Sequence, residues 1–300
     1  MRQRRQASPR EIPVIDPATE AVLGHVPRGG ELEVDRAVQA ARTAFTDWRW
    51  VPGVEKAGML HAVARRIREH QQELTRLLTR EGGKPFCENR DEVEWTAACF
   101  DYYAELGRNS RGSSLPPVAR HQVNFTLKEP YGVVAVIVPW NYPLLLLSWK
   151  VAPALAAGNT VIVKPSEETP LATLFLAEHA FAELPQDVVG VVTGLGEEAG
   201  EALVRHSGTD LVALTGSTET GKHVGGLCAE QVKKCHLELG GNDPFIVCSD
   251  ADLDVAVPGA CWAAFLNSGQ VCTSGKRFYV FESIFEAFVE RAVELAGSLL

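Results

Sequence analysis

The segment NSGQVCTSGKRFYV places Cys272 in a polar, glycine-flanked turn directly ahead of a strand-like run. A thiol held between Gly269 and Gly275 is accessible to a small electrophile, whereas structural cysteines sit in apolar runs. Two polar side chains upstream stand where a ligand could meet them. Glu238 in HLELGG stands on an alternating strand just before two glycines, which suit close approach by another backbone or a ligand. Asn141 in PWNYP sits between two prolines that restrict its backbone, and a fixed amide can hold a developing negative charge. Each has a plainer reading when taken alone: an inert thiol in a surface turn, a solvent-side strand glutamate, a turn asparagine.

A second group suits a nucleotide. TVIVKPSEETP ends an apolar strand with Lys164, Ser166 and Glu167, a set able to meet ribose hydroxyls or equally to open and cap a solvated helix. LVALTGSTETGKHV gives strand, glycine turn and helix, with Gly216, Ser217 and Gly221 placed where backbone N–H groups can receive phosphate. It reads GxxxxGK, yet His223 stands where a magnesium-binding Ser or Thr follows the lysine of a Walker loop.

The elements that position these groups alternate. VVAVIVP, TVIVKP, VVGVVTG and LVALTG are near-continuous apolar runs, each followed by a helical pattern, which predicts a doubly wound parallel sheet covered on both faces, with ligands at the carboxyl ends of its strands. Before Gln122 the apolar spacing is mostly helical, and VNFTLKEP reads as an extended arm within about 112–130. After Lys233 a second α/β block begins. The expected organisation is a basic disordered tail over 1–12, a doubly wound domain over 13–233, and over 234–300 the beginning of a second α/β domain with no closing element.

Composition narrows the class. Across 300 residues a formal net charge of -9 disfavours nucleic acid and anionic membrane as partners, and no apolar run reaches bilayer length. Seven scattered cysteines without CxxC or zinc-ligand spacing predict a reducing cytoplasm and no metal site. No apolar h-region follows the basic N-terminus, so no signal or transit peptide is expected.

PWNYP, KPSE, TGSTETG, LELGGNDP and GQVC, in that order, resemble the aldehyde dehydrogenase superfamily, and the likeness extends through VIDPATEAVLGHVP and REGGKP to cover essentially Val14 to Leu300. The resemblance implies oxidation of a small-molecule aldehyde to an acid. Cys272 is then the nucleophile, Glu238 the general base, and Asn141 the oxyanion donor beside the Cys272 N–H. Lys164, Ser166 and Glu167 hold the adenosine ribose, Pro139 and Trp140 line the cofactor path, and Gly216, Ser217 and Gly221 meet the pyrophosphate. Gly196 lies near the adenine and Leu239 contacts the nicotinamide amide. These roles require Cys272, Glu238 and Asn141 to face one cavity.

Glu167 favours NAD over NADP, because a carboxylate near the ribose 2′-oxygen repels a further phosphate. Ser274 departs from the small residues usual two positions after the nucleophile, a change expected to alter pocket polarity. The family's EIFGP-type motif does not occur in these residues, and neither does its terminal oligomerisation strand. The resemblance therefore implies a homo-oligomer for full-length members only. A shortened, non-catalytic cofactor-binding remnant or gene fragment, and a cofactor-independent thiol esterase using Cys272 and Glu238, stand as rival readings.

Overall fold

The computed structural model describes residues 11–299. The tail expected over 1–12 lies outside the described residues up to 10, and Glu11 and Ile12 already belong to a strand. The chain divides into two compact units, one reaching Glu238 and the other starting at Leu239.

The first unit opens with a hairpin that the helical spacing did not reveal. Strands β1 (Glu11–Ile15) and β2 (Val22–Pro27) pair antiparallel around a turn in which Asp16 Oδ1 accepts from the Ala18 amide and Glu20 adopts a positive φ. Only Val14 and Val26 of the pair are buried, so its alternation is weak in the sequence. Four helices follow: α1 (Glu31–Trp48), α2 (Gly53–Glu69), α3 (Gln71–Gly82) and α4 (Phe86–Gly107). Within the expected arm only β3 (Ser114–Leu115) and β4 (Asn124–Phe125) pair, and Val118, Val123 and Leu127 are exposed.

The sheet itself consists of β5 (Val133–Ile137), β6 (Thr160–Lys164), β7 (Val189–Val191), β8 (Leu211–Gly216) and β9 (Lys234–Leu239), in the order β7-β6-β5-β8-β9. β5 pairs parallel with both β6 and β8, and β6 pairs parallel with β7. The connections are α5 (Pro143–Ala156), α6 (Leu171–His179), a π-turn over Gly196–Gly200 running into α7 (Glu201–Arg205), and α8 (Thr218–Glu230). One face of the sheet packs on α2, α3, α4, α5 and α6 and the other on α1, α7 and α8, giving two apolar layers. This is the doubly wound α/β arrangement that the apolar strands predict. Its strand order reverses between β5 and β8, where such folds open a crevice.

Buried ionisable side chains fix the helices that follow β5 and β6. Glu92 is fully buried, and its Oε1 accepts from the Leu144 and Leu145 amides at 3.0 and 3.2 Å, capping α5 from a distant helix. Its other oxygen pairs with Lys84 Nζ, which also donates to the Asn141 carbonyl at 2.8 Å and lies 4.5 Å from the centre of the Tyr142 ring. Glu81 caps α6 in the same way, accepting from the Leu171 and Ala172 amides at 2.7 and 3.0 Å. Ser166 and Glu167 therefore do not open that helix. Pro170 pushes Thr169 out of helical conformation, so residues 165–169 form a turn in which Ser166 Oγ accepts from the Glu168 amide at 3.3 Å.

The second unit holds β10 (Asp243–Val247) and β11 (Gly275–Val280), paired parallel, with α9 (Leu253–Phe265) and α10 (Phe285–Gly297). Their core is Val247, Val257, Ala260, Cys261 and Phe288.

Two stability effects follow from these buried ionisable groups. Lys84→Met leaves Glu92 buried without its counter-charge and costs about 3–5 kcal/mol, read from the urea midpoint. Burial, opposed by its two amide bonds, raises Glu81 from 4.5 to about 8. In the unfolded chain it ionises near 4.5, so its contribution is fully present below that pH and lost as pH rises toward about 8. Glu81→Gln therefore flattens the dependence of unfolding free energy on pH between 5 and 8, measured by urea titration, with wild type losing stability relative to the variant as pH rises.

Candidate active site

At the carboxyl ends of β5 and β8, Ile137 and Leu214 floor a cavity of about 470 Å³ that is walled by Gly196, Gly200, Glu201, Thr220 and His223. Gly196 is exposed and opens the π-turn, and a Cβ built there meets no atom within 4 Å. Its lack of a side chain is thus not demanded by the protein's own packing.

The other nucleotide candidates gather around the same rim. Ser217 caps α8: its Oγ accepts from the Thr220 amide at 3.1 Å and contacts Thr220 Oγ1 at 2.8 Å. Gly216 precedes it at the end of β8, where a Cβ would lie 3.9 Å from that of Thr220. Gly221 is buried in the first turn of α8 and its amide donates to the Ser217 carbonyl, so it contributes shape and not a free donor. Lys164 is buried at the end of β6, and its Cδ lies 4.0 Å from where a Gly200 Cβ would be. Its Nζ pairs with Glu167 Oε2 at 2.8 Å, which orders the carboxylate at the strand end. Ser166 is buried beside them.

This donor set suits an adenosine end, with a carboxylate and an ammonium for hydroxyls and a helix N-terminus for phosphate. Among the described residues there is no cluster of three or more His, Cys, Asp or Glu able to hold a metal, and no helix long and apolar enough to cross a membrane.

Pro139 is half-buried and Trp140 exposed in the link from β5 to α5, and half-buried Asn141 ends that link. Tyr142 is the N-cap and Pro143 the first residue of α5. The backbone of Asn141 is thereby held on both sides, by the Lys84 bond to its carbonyl and by the glutamate-capped helix after it.

Further along α5, Leu145, Trp149 and Lys150 line a larger cavity of about 740 Å³ with Trp95, Tyr102, His236 and Glu238. Asn141 is not among its lining residues. Glu238 is half exposed on β9 and pairs with His236 at 3.2 Å, both on the strand face turned to this cavity. The aromatic lining and the Lys84–Glu92 pair escaped the sequence reading. The only local signal for the pair is the lysine of REGGKP.

Cys272 lies in the second unit, half-buried, between α9 and β11. Three consecutive residues ahead of it, Asn267, Ser268 and Gly269, have φ of 56°, 58° and 74°. Two non-glycine residues in the left-handed region in sequence are uncommon, and such conformations collect at functional loops. Asn267 is fully buried and its Nδ2 donates to the Gln270 carbonyl at 3.3 Å, while Gln270 Nε2 donates back to the Asn267 carbonyl at 3.2 Å.

Gly241 donates its amide to the Cys272 carbonyl at 3.2 Å, and a Cβ at Gly241 would come within 2.9 Å of that oxygen. One of the two glycines after Glu238 thus serves close approach by the backbone of the Cys272 loop. Leu239, half-buried, is the last residue of β9. Ser274 is buried, and its hydroxyl donates to the Ala263 carbonyl at 2.9 Å, tying the loop to α9.

Gly241→Ala drives a methyl into the Cys272 carbonyl, so the alkylation rate of Cys272, followed by peptide mass spectrometry, changes several-fold. The rates of Cys87 and Cys99 in the first unit stay constant.

The profile of the family described as "Aldehyde dehydrogenase family" matches residues 4–299. Betaine aldehyde dehydrogenase 1 of Oryza sativa subsp. japonica is 44% identical over 97% of this chain and 59% of its own length. Aminoaldehyde dehydrogenase 2 of Zea mays is also 44% identical, with the same coverage. Among solved structures, that of an E. coli NADP dependent enzyme superimposes with a TM-score of 0.95 at 39% identity, over 96% of this chain and 60% of that one. The NAD+ complex of an aldehyde dehydrogenase from Bacillus cereus gives 0.94 at 39%, over 97% and 60%. The chain spans about 60% of the length of these relatives.

Proposed function

As the chain belongs to the aldehyde dehydrogenase family, we propose that it carries the cysteine-centred machinery for oxidising a small-molecule aldehyde to a carboxylic acid, with NAD as the preferred hydride acceptor. The observation that carries the cofactor half is the Lys164–Glu167 pair at the end of β6, beside the cavity at the point where strand order reverses. The catalytic half rests on Cys272, in a loop held by its left-handed backbone run, by the side chains of Asn267, Gln270 and Ser274, and by the Gly241 amide.

In this reading the Cys272 thiolate attacks the aldehyde carbon and forms a tetrahedral hemithioacetal. The Asn141 amide, with the Cys272 N–H, holds its oxyanion, and the fixed backbone of Asn141 keeps that donor from reorganising during the step. A bound nicotinamide supplies a hydride acceptor. Lys164, Ser166 and Glu167 hold the ribose, Pro139 and Trp140 border the cofactor path, Gly196 leaves room for the adenine, Gly216, Ser217 and Gly221 shape the phosphate turn, and Leu239 meets the nicotinamide amide. Glu238 then removes a proton from water, which attacks the thioester and frees the acid. His236, 3.2 Å away, orients that carboxylate.

The cavity bearing Trp95, Tyr102 and Trp149 suits an aldehyde with a cationic tail, since aromatic faces attract ammonium groups. The names of the betaine aldehyde and aminoaldehyde relatives support that substrate class. A reducing, cytoplasmic setting belongs to the same reading, supported by seven free cysteines.

One observation favours a second reading. Asn141 does not line the cavity that Glu238 borders, which fits the remnant reading, in which the chain binds cofactor without turnover. The two are separated by titrating the purified chain with NAD and assaying aminoaldehyde oxidation. Turnover that Cys272→Ala abolishes, with NAD affinity unchanged within about twofold, supports the enzyme. Tight NAD binding without turnover supports the remnant. Ester cleavage that persists without NAD, alongside absent dehydrogenation, favours a thiol esterase.

The cofactor choice has its own test. Glu167→Gln removes the carboxylate that opposes a 2′-phosphate and releases Lys164 to meet it, so the Kd for NADP falls about tenfold while that for NAD rises, measured by fluorescence titration.

A further inference from the structure

Helix α8 ends in a reversal. The Lys233 amide donates to the Cys228 carbonyl at 2.9 Å and the Val232 amide to the Ala229 carbonyl at 3.1 Å, with Val232 at φ 56°. This is the pattern of a Schellman turn, with a β-branched residue where glycine is usual. The chain then runs back along the helix as β9.

Register between the two elements is set one turn earlier, where a Cβ at Gly225 would lie 3.5 Å from Leu237 Cδ1. Moving from Gly225 to Cys228 advances about 4.5 Å along the helix. Moving from Leu237 back to Cys235 covers about 6.6 Å of strand on the same face. The two steps run in the same direction, so Cys235 comes opposite Cys228. Cys228 is buried in the apolar layer with Val224 and Leu227, while Cys235 is exposed.

Cys235 lies close enough to act on the Cys228 thiol directly. Burial, then the neighbouring Cys235, pushes Cys228 up to about 11, against the opposing charge of Lys233. The Lys233 ammonium is anchored beside the turn by the Val204 and His206 carbonyls, at 2.7 Å each.

We propose that Cys228 and Cys235 are a redox modification site, closing to a reversible disulfide that staples the end of α8 to the start of β9, with a small disulfide such as glutathione disulfide as oxidant. The exposed Cys235 thiolate attacks one sulfur of the oxidant and expels a glutathione thiolate, leaving a mixed disulfide. Cys228 then loses its proton to solvent and attacks Sγ of Cys235, expelling the second glutathione. Two protein thiols give up two electrons and two protons, which end on two glutathione thiols. Order follows access, because only Cys235 is open to solvent. His236 and Glu238 alternate with these positions and line the cavity on the opposite strand face, so the staple forms on the strand that bears Glu238 and restrains its motion.

The test needs no turnover. The folded chain is incubated with glutathione disulfide, remaining thiols are alkylated, and digestion with trypsin and a Glu-specific protease releases residues 223–230 and 235–238 as separate peptides. The expected product is those two peptides joined, two hydrogens lighter than their sum, lost on dithiothreitol treatment and absent from Cys235→Ser. Recovery of both cysteines singly alkylated overturns the proposal. So does Cys235 joined stably to glutathione or to a cysteine other than Cys228.

Discussion

Glu81, Lys84 and Glu92 are three ionisable side chains removed from water within twelve residues of sequence, and the junctions that follow β5 and β6 at the carboxyl edge of the sheet are tied to them. Desolvating such groups is tolerated only where each finds hydrogen-bonding partners. Here those partners are the amides that open α5 and α6 and the carbonyl of Asn141. One corner between two outer helices therefore sets where both βα junctions begin. The oxyanion candidate lies within one of those junctions, and the ribose candidates lie in the turn leading to the other.

What was legible in the sequence follows from range. The parallel strands could be read because both of their faces are buried, which leaves unbroken apolar runs. The cofactor rim could be read because glycine, serine and lysine at strand ends report local backbone need. The start of α6 could not, since its cap comes from Glu81, ninety positions away, and a serine–glutamate pair at 166–167 imitates a local cap. The opening hairpin was missed because it buries only two side chains.

The thiol loop divides along the same line. Its glycines mark it as a turn, and the structure adds how it is built: a left-handed run from Asn267 to Gly269, Ser274 fastened to α9, and the carbonyl of Cys272 received by Gly241. None of these contacts leaves a compositional trace. Gly241 comes closest, because a paired glycine does announce close approach. Whether that approach is by protein or ligand is decided only by what lies 3 Å away, and for Gly241 it is protein, whereas around Gly196 there is open space.

The Glu81 carboxyl has a thermochemical consequence. Near pH 7 it is ionised in the unstructured chain and neutral in the folded one, so the folding reaction takes up a hydrogen ion from its surroundings. The heat measured calorimetrically then includes the ionisation heat of whichever buffer donates it. Tris and phosphate give different apparent enthalpies for the same conformational change.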